Sequence, residues 1–85
     1  MKIIWTLHYH PDVTAFLYSV RGTEKADKVR EAIKALQHRV DPTEDCKEAQ
    51  GWPGRYEFEV AGHWVGIRVL ADEKAVRVLY ITIEA

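Results

Sequence analysis

The segment from Gly54 to Glu84 predicts three β-strands in succession, and it constrains the fold more than the rest of the chain. Residues that favour strands recur along it, and two short polar turns interrupt them. The predicted strands are Arg55–Ala61, Trp64–Leu70 and Ala75–Glu84, and the predicted turns are Gly62-His63 and Ala71–Lys74. Strands joined by such short turns pair antiparallel, so this segment supplies most of one sheet.

Alternation along these strands predicts which side chains meet the core. The first strand has an apolar face of Tyr56, Phe58 and Val60 and a charged face of Arg55, Glu57 and Glu59. The last strand is apolar on both faces, as expected of a strand with neighbours on either side. Its two faces are Val76, Val78 and Tyr80 against Leu79, Ile81 and Ile83. Gly66, inside the middle strand, indicates a bulge or a close backbone approach.

The N-terminal half predicts one strand, Lys2–Tyr9, and then two helices. A first helix with His10 or Asp12 as N-cap has the apolar face Val13, Phe16, Leu17 and Val20. A second helix capped by Thr23 has the apolar face Ala26, Val29, Ile33, Leu36 and Val40. Asp41-Pro42 ends it, because the residue before proline disfavours helical geometry, and a polar linker follows over Thr43–Pro53.

The predicted order is therefore β-α-α-β-β-β, an α+β fold in a single domain of residues 1–85. We expect a mainly antiparallel sheet with the α-hairpin packed on one face. Two short helices cover only one face of such a sheet. The other face stays open, and a partner would bind there.

Composition narrows the class of protein. The formal net charge is −1, so the whole chain does not attract nucleic acid by its net charge. The single cysteine, Cys46, excludes an internal disulfide and suits a reducing compartment, where a free thiol of no special function is expected. No apolar run approaches the roughly 20 residues of a membrane span. We expect a cytoplasmic domain that is complete from its first residue and needs no cofactor.

The order and spacing of these segments resemble the RelE/ParE superfamily, the toxin halves of toxin–antitoxin pairs. The resemblance extends over essentially the whole chain, and it rests on the segments HPDVTAFLYSV, ADKVREAIKAL, DP, PGRYEFEVAGHW and DEKAVRVLYI. It implies an α-hairpin packed on a sheet, a cognate antitoxin as partner, and either a ribosome or DNA gyrase as target. In ribosome-dependent members, arginines stabilise the scissile phosphate of messenger RNA, and a tyrosine or histidine near the C-terminus helps proton transfer.

This chain departs from that pattern at most of the implied catalytic positions. Glu57, Glu59 and Val65 stand where the family motif has arginines, and only Glu84 and Ala85 follow Ile83. Carboxylates at such positions oppose the docking of RNA phosphates rather than only failing to help. The candidate catalytic residues that remain are Arg55, Arg68, Arg77 and His63. Whether the chain is an enzyme stays open.

A partner-binding surface is predicted at Glu57, Glu59, Trp64 and Arg68. The two glutamates are interpreted either as a solvated strand face or as a complement to a basic partner segment. The preferred function is an antitoxin-neutralised toxin that inhibits its target without the usual nuclease residues. The alternatives are a RelE-like endoribonuclease with altered catalytic residues, and a ParE-like toxin directed at gyrase.

Two further groups of residues have a structural and a functional interpretation. His8, His10 and His63 are interpreted as edge or surface residues, with a three-histidine metal site as the alternative. Trp5, Trp52 and Trp64 are interpreted as core or rim residues, with stacking on nucleic-acid bases as the alternative.

Overall fold

A histidine side chain begins the first helix of the computed structural model, which describes residues 3–82. Helix α1 spans Pro11–Ser19, and its N-cap is His10. The Nδ1 nitrogen of His10 accepts a hydrogen bond from the backbone N–H of Asp12 at 3.0 Å. The cap therefore satisfies a donor that the first turn of a helix leaves without a partner, and one of the two predicted caps is confirmed.

Helix α2 spans Glu24–Ala35 and starts at the predicted cap, since Thr23 Oγ1 accepts a hydrogen bond from Ala26 N–H at 3.1 Å. A single 3₁₀ turn, Leu36–His38, follows it. The prediction that Val40 belongs to the buried face is wrong, because this side chain is 86% exposed. Across residues 3–82, no helix is long and apolar enough to cross a membrane.

The helix ends before Val40 because the carbonyl groups just after α2 accept hydrogen bonds from the residues that precede the first strand. The Gln37 carbonyl accepts hydrogen bonds from Ile4 N–H at 2.7 Å and Trp5 N–H at 3.1 Å. The Trp5 indole N–H donates to the Arg39 carbonyl at 2.8 Å. Arg39 is itself extended, with φ −84° and ψ 143°. These long-range bonds turn the chain away from the helix axis before the apolar period is complete.

The sheet contains five strands in the order β1-β5-β4-β3-β2. The strands are β1 Thr6–Tyr9, β2 Lys47–Glu48, β3 Arg55–Val60, β4 His63–Leu70 and β5 Ala75–Ile81. β1 is parallel to β5, and the other neighbours are antiparallel, so the predicted α+β fold with a mainly antiparallel sheet is confirmed. The predicted strand residues Lys2, Ile83 and Glu84 lie outside the described residues.

Two local features of the chain differ from prediction. The linker contains β2, a two-residue edge strand. Its side chains are polar and exposed, so the sequence has no alternating hydrophobic pattern from which to predict it. The turn between β3 and β4 is formed by Ala61 and Gly62, with φ of +53° and +84°, so His63 belongs to β4 rather than to the turn. Two successive residues with positive φ match the twist of a tight hairpin.

The helices cover one face of the sheet, and the core lies between the helices and that face. The buried core side chains are Trp5, Val13, Leu17, Val29, Ile33, Leu36, Val65, Ile67, Val76 and Val78. Tyr56, Phe58 and Val60 pack against this core, as predicted. We call the opposite side the open face. By register it carries His8, Arg55, Glu57, Glu59, Trp64, Gly66, Arg68, Arg77 and Tyr80.

A bulge in β5 reverses the alternation of its side chains. Gly66 is opposite Tyr80, whereas Ile67 is opposite Val78, so β5 holds one extra residue at this point. The register shift occurs beside Gly66, where a bulge was predicted, but the extra residue belongs to β5 and not to the strand of Gly66. The prediction that Tyr80 shares a face with Val78 is wrong, because the extra residue moves Tyr80 to the open face and Ile81 to the core face.

Gly66 leaves the space in which the Tyr80 ring lies. A Cβ atom at Gly66 would be 2.3 Å from both Cε2 and Cζ of Tyr80. Any side chain there would push the ring off the sheet. The requirement for glycine is therefore steric, and it arises from the bulge that brings Tyr80 to this face.

We predict that Gly66→Ala lowers the free energy of unfolding by about 1–3 kcal/mol, the usual cost of overpacking. In a Tyr80→Ala background the same change should cost little or stabilise the fold, because alanine is ordinarily better than glycine inside a strand. Urea unfolding of the four proteins of this cycle measures the coupling between the two sites. Equal costs in both backgrounds would show that the ring does not impose the glycine.

Candidate functional site

Three arginines and one histidine form a row across the open face. Arg55 on β3 is opposite Arg68 on β4, which is opposite Arg77 on β5. Arg77 is in turn opposite His8 on β1. The row crosses four strands, so it is about 14 Å long at the usual strand spacing. We call these four residues the arginine row.

The arginines of the row have no ion-pair partner in the part of the chain that the structure describes. The ion pairs of this region lie on or beside the helices. Like charges directly opposite one another destabilise a sheet. Arg68 and Arg77 are also exposed, so their guanidinium groups can reach a ligand. The row is suited to an anion with several charges.

Tyr80 and Glu57 form a hydrogen-bonded pair beside the arginine row. The Tyr80 hydroxyl donates to Glu57 Oε2 at 2.5 Å, and the ring crosses β4 at Gly66 to reach it. Burial of the ring, together with the hydrogen bond and the negative charge of Glu57, raises the pKa of Tyr80 to about 12. The phenol therefore keeps its proton at neutral pH, and it can donate a hydrogen bond but does not serve as a general base.

Glu57 is less available to a partner than its sequence position suggests. Besides the bond from Tyr80, it has Lys47 of β2 opposite it. Its carboxylate repels an incoming phosphate less than an unpaired one would. Glu59, in contrast, is exposed and lies opposite the half-buried Trp64.

The predicted partner-binding residues share one surface. Glu57, Glu59, Trp64 and Arg68 all lie on the open face by the register of β3 and β4. The structure therefore brings this set together. Their use by a partner stays a prediction.

His63 is separated from the three candidate catalytic arginines by the sheet itself. Its ring makes an edge contact with Phe16 of α1, with ring centres 5.6 Å apart. Its Nδ1 nitrogen lies 2.7 Å from the carbonyl oxygen of Thr82. His63 thus packs on the helix side, and the sequence had no signal for this because the turn was assigned one residue too late.

The other candidate groups do not converge on a site. Within residues 3–82, no three His, Cys, Asp or Glu side chains are placed to hold a metal ion, so His8, His10 and His63 do not form the alternative metal site. Burial raises the pKa of Cys46, which keeps it a thiol at neutral pH. That thiol contacts the Pro42 carbonyl at 3.6 Å.

Sequence reasoning missed Tyr80 as a member of this surface. The available signal was Gly66, which leaves space for a side chain of the neighbouring strand, but the sequence did not indicate that the extra residue lies in β5. The extra residue in β5 moves Tyr80 to the open face and Ile81 to the core face.

Comparison with known proteins identifies the architecture. No family model matches the chain, and no curated protein matches it. The RelE–RelB complex of Pyrococcus horikoshii OT3 contains a similar chain, with a TM-score of 0.75, 18% identity and 94% of each chain covered. The intact toxin–antitoxin complex RelBE of E. coli gives 0.67, with 17% identity over 95% of this chain and 96% of that one. The chromosomal ParDE system of P. aeruginosa gives 0.67, with 21% identity over 92% and 94%.

This chain has the RelE/ParE fold. The expectation drawn from the segment resemblance is confirmed at the level of the fold, and the match extends over nearly the whole chain.

We predict that Glu57→Gln lowers the pKa of Tyr80 from about 12 toward the ordinary value of about 10. The substitution removes the negative charge that opposes ionisation of the phenol. A pH titration of the tyrosine Cζ resonances by NMR measures this, with Glu59→Gln as the matched control. Because the raised pKa favours the folded state only while the phenol is protonated, this contribution is present below pH 10 and is lost as pH rises through 12. An unchanged Tyr80 titration in Glu57→Gln would contradict the assigned pair.

Proposed function

We propose that this chain is the toxin of a type II toxin–antitoxin pair and that a cognate antitoxin binds and neutralises it. The support is the RelE/ParE fold, since the similar chains were solved in a RelE–RelB complex and in a RelBE toxin–antitoxin complex. The open face is the side of the sheet that the helices do not cover, so a second molecule can dock there.

We further propose that the toxin inhibits its target by occupying it, and that the target carries phosphates. The single observation that supports this is the arginine row, in which Arg55, Arg68 and Arg77 lie opposite one another by register and form no ion pair within residues 3–82. Phosphate oxygens accept such paired N–H donors in good geometry. The net charge of −1 does not reveal this local positive charge, because it sums over the whole chain. The lysines of α2 are interspersed with acidic residues, whereas the three arginines are aligned on the sheet.

Binding without cleavage is favoured by the state of Tyr80. Its proton is held by Glu57, and its raised pKa makes proton abstraction from a ribose hydroxyl unfavourable at neutral pH. His63, the other candidate for proton transfer, is on the helix side of the sheet. The open face therefore has cations that bind phosphate, and neither Tyr80 nor His63 is placed to act there as a general base.

We predict that inducing this chain alone arrests growth and that the product of the adjacent small reading frame co-purifies with it and restores growth. Replacing Arg55, Arg68 and Arg77 together by Gln should abolish the arrest, because attraction to phosphate is lost. The matched control replaces the exposed lysines of α2, Lys25, Lys28 and Lys34, by Gln and should leave the arrest intact. An arrest that survives the arginine changes would refute the role of the row.

An endoribonuclease remains the second candidate, because the arginine row also suits a charged transition state. In that case induction cuts translated messages in phase with codons, and primer extension detects the cuts. Under the occupancy proposal we expect growth arrest without such cuts.

A gyrase-directed toxin is the other alternative, given the similarity to the ParDE system of P. aeruginosa. Loss of supercoiling by purified gyrase on addition of the protein would select it.

A further inference from the structure

An exposed tryptophan lies directly beside the arginine row. Trp52 is 57% exposed and lies in the turn between β2 and β3. Its N–H donates to the Ala49 carbonyl at 3.2 Å, and its carbonyl accepts from Arg55 N–H at 3.1 Å. The backbone of Trp52 is thus tied on both sides. Packing in the core therefore does not account for the position of this large aromatic side chain.

Arg55 connects this tryptophan to the arginine row. Its guanidinium carbon is 4.4 Å from the centre of the Trp52 ring, so the cation covers one side of the indole. The same guanidinium belongs to the residue that starts the row at β3. A cation, an aromatic ring and a line of further cations are therefore contiguous.

The turn also forms an open cleft next to Trp52. The cleft has a volume of about 650 Å³ and is lined by residues 47–53, among them Lys47, Gln50 and Trp52. An aromatic base fits such a volume with room for solvent. Gln50 and Lys47 supply donors and an acceptor for the polar edge of a base.

We propose that Trp52 and Arg55 form a stacking site for an unpaired base of a single-stranded nucleic acid whose phosphates lie on the arginine row. The proposal rests on the proposed function, because it takes the phosphate-bearing target to be a nucleic acid. Aromatic rings combined with a cationic track are the usual means of binding single strands, and guanidinium planes also stack on bases. An acidic peptide would use the arginines but would gain nothing from a stacking platform.

Trp52→Leu tests the platform with two fluorescently labelled single-stranded RNA probes of equal length, one ordinary and one with abasic sites throughout. Fluorescence anisotropy should show about 5- to 150-fold weaker binding of the ordinary strand by the variant, which is the usual contribution of one stacked base. Binding of the abasic strand should change by no more than about twofold, as for a neutral surface substitution. Thermal unfolding of both proteins confirms that the variant is folded.

The matched control is Tyr18→Leu. Tyr18 is 64% exposed and has Arg21 over its ring at 4.2 Å, but it lies on α1, on the helix side. This variant should bind both strands as the unmodified protein does. Equal weakening by the two variants would overturn the proposal, and so would equal weakening of the two strands by Trp52→Leu.

The outcomes also separate this proposal from the proposed function. If replacing Arg68 by Gln weakens binding of both strands while Trp52→Leu changes neither, the stacking site is wrong and the phosphate-binding row stands. If the unmodified protein binds neither strand at low salt, the nucleic-acid target fails, and the stacking site fails with it. For three phosphate contacts, the logarithm of affinity should fall with the logarithm of salt concentration with a slope of about −2.

Discussion

The open face depends on one extra residue in β5. The bulge opposite Gly66 moves Tyr80 out of the core and Ile81 into it, and the vacant position at Gly66 lets the Tyr80 ring lie flat across β4. The ring then reaches Glu57 on β3. Three strands are thereby connected by one side chain, beyond their backbone hydrogen bonds. A slip of one residue in this register would exchange the two faces from Tyr80 onward and separate the pair.

That connection changes the electrostatics of the surface. Viewed along the sequence, Glu57 is a negative charge at a position where phosphate binding would require a positive one. In the fold it accepts a hydrogen bond from Tyr80 and lies opposite Lys47, while the arginines lie in the adjacent row. The carboxylate holds a phenol in place and offsets part of the repulsion within the row. Glu57 therefore opposes proton abstraction by Tyr80 more than it opposes phosphate binding.

The sequence predicted the parts of the fold that local chemistry determines. Caps at His10 and Thr23 and the alternation of β3 depend on neighbouring residues, and these predictions are confirmed. The end of α2 could not be predicted, because it depends on Trp5, a residue 34 positions from its bonding partner Arg39. The arginine row was equally hidden. Its members are candidates one by one in the sequence, but only the pairing register aligns them.

The arginine row is costly for the sheet that contains it. Three cations directly opposite one another favour separation of β3, β4 and β5, and threonine or alternating charges would serve stability better. The apolar face of the same strands compensates, because Val65, Ile67, Val76 and Val78 are fully buried against the helices. Residues that oppose stability and form no ion pair within the described chain are characteristic of binding surfaces. The same reasoning applies to Trp52, since an exposed indole adds nothing to the core. Both features agree with the proposed binding of a flexible polyanion that carries aromatic bases.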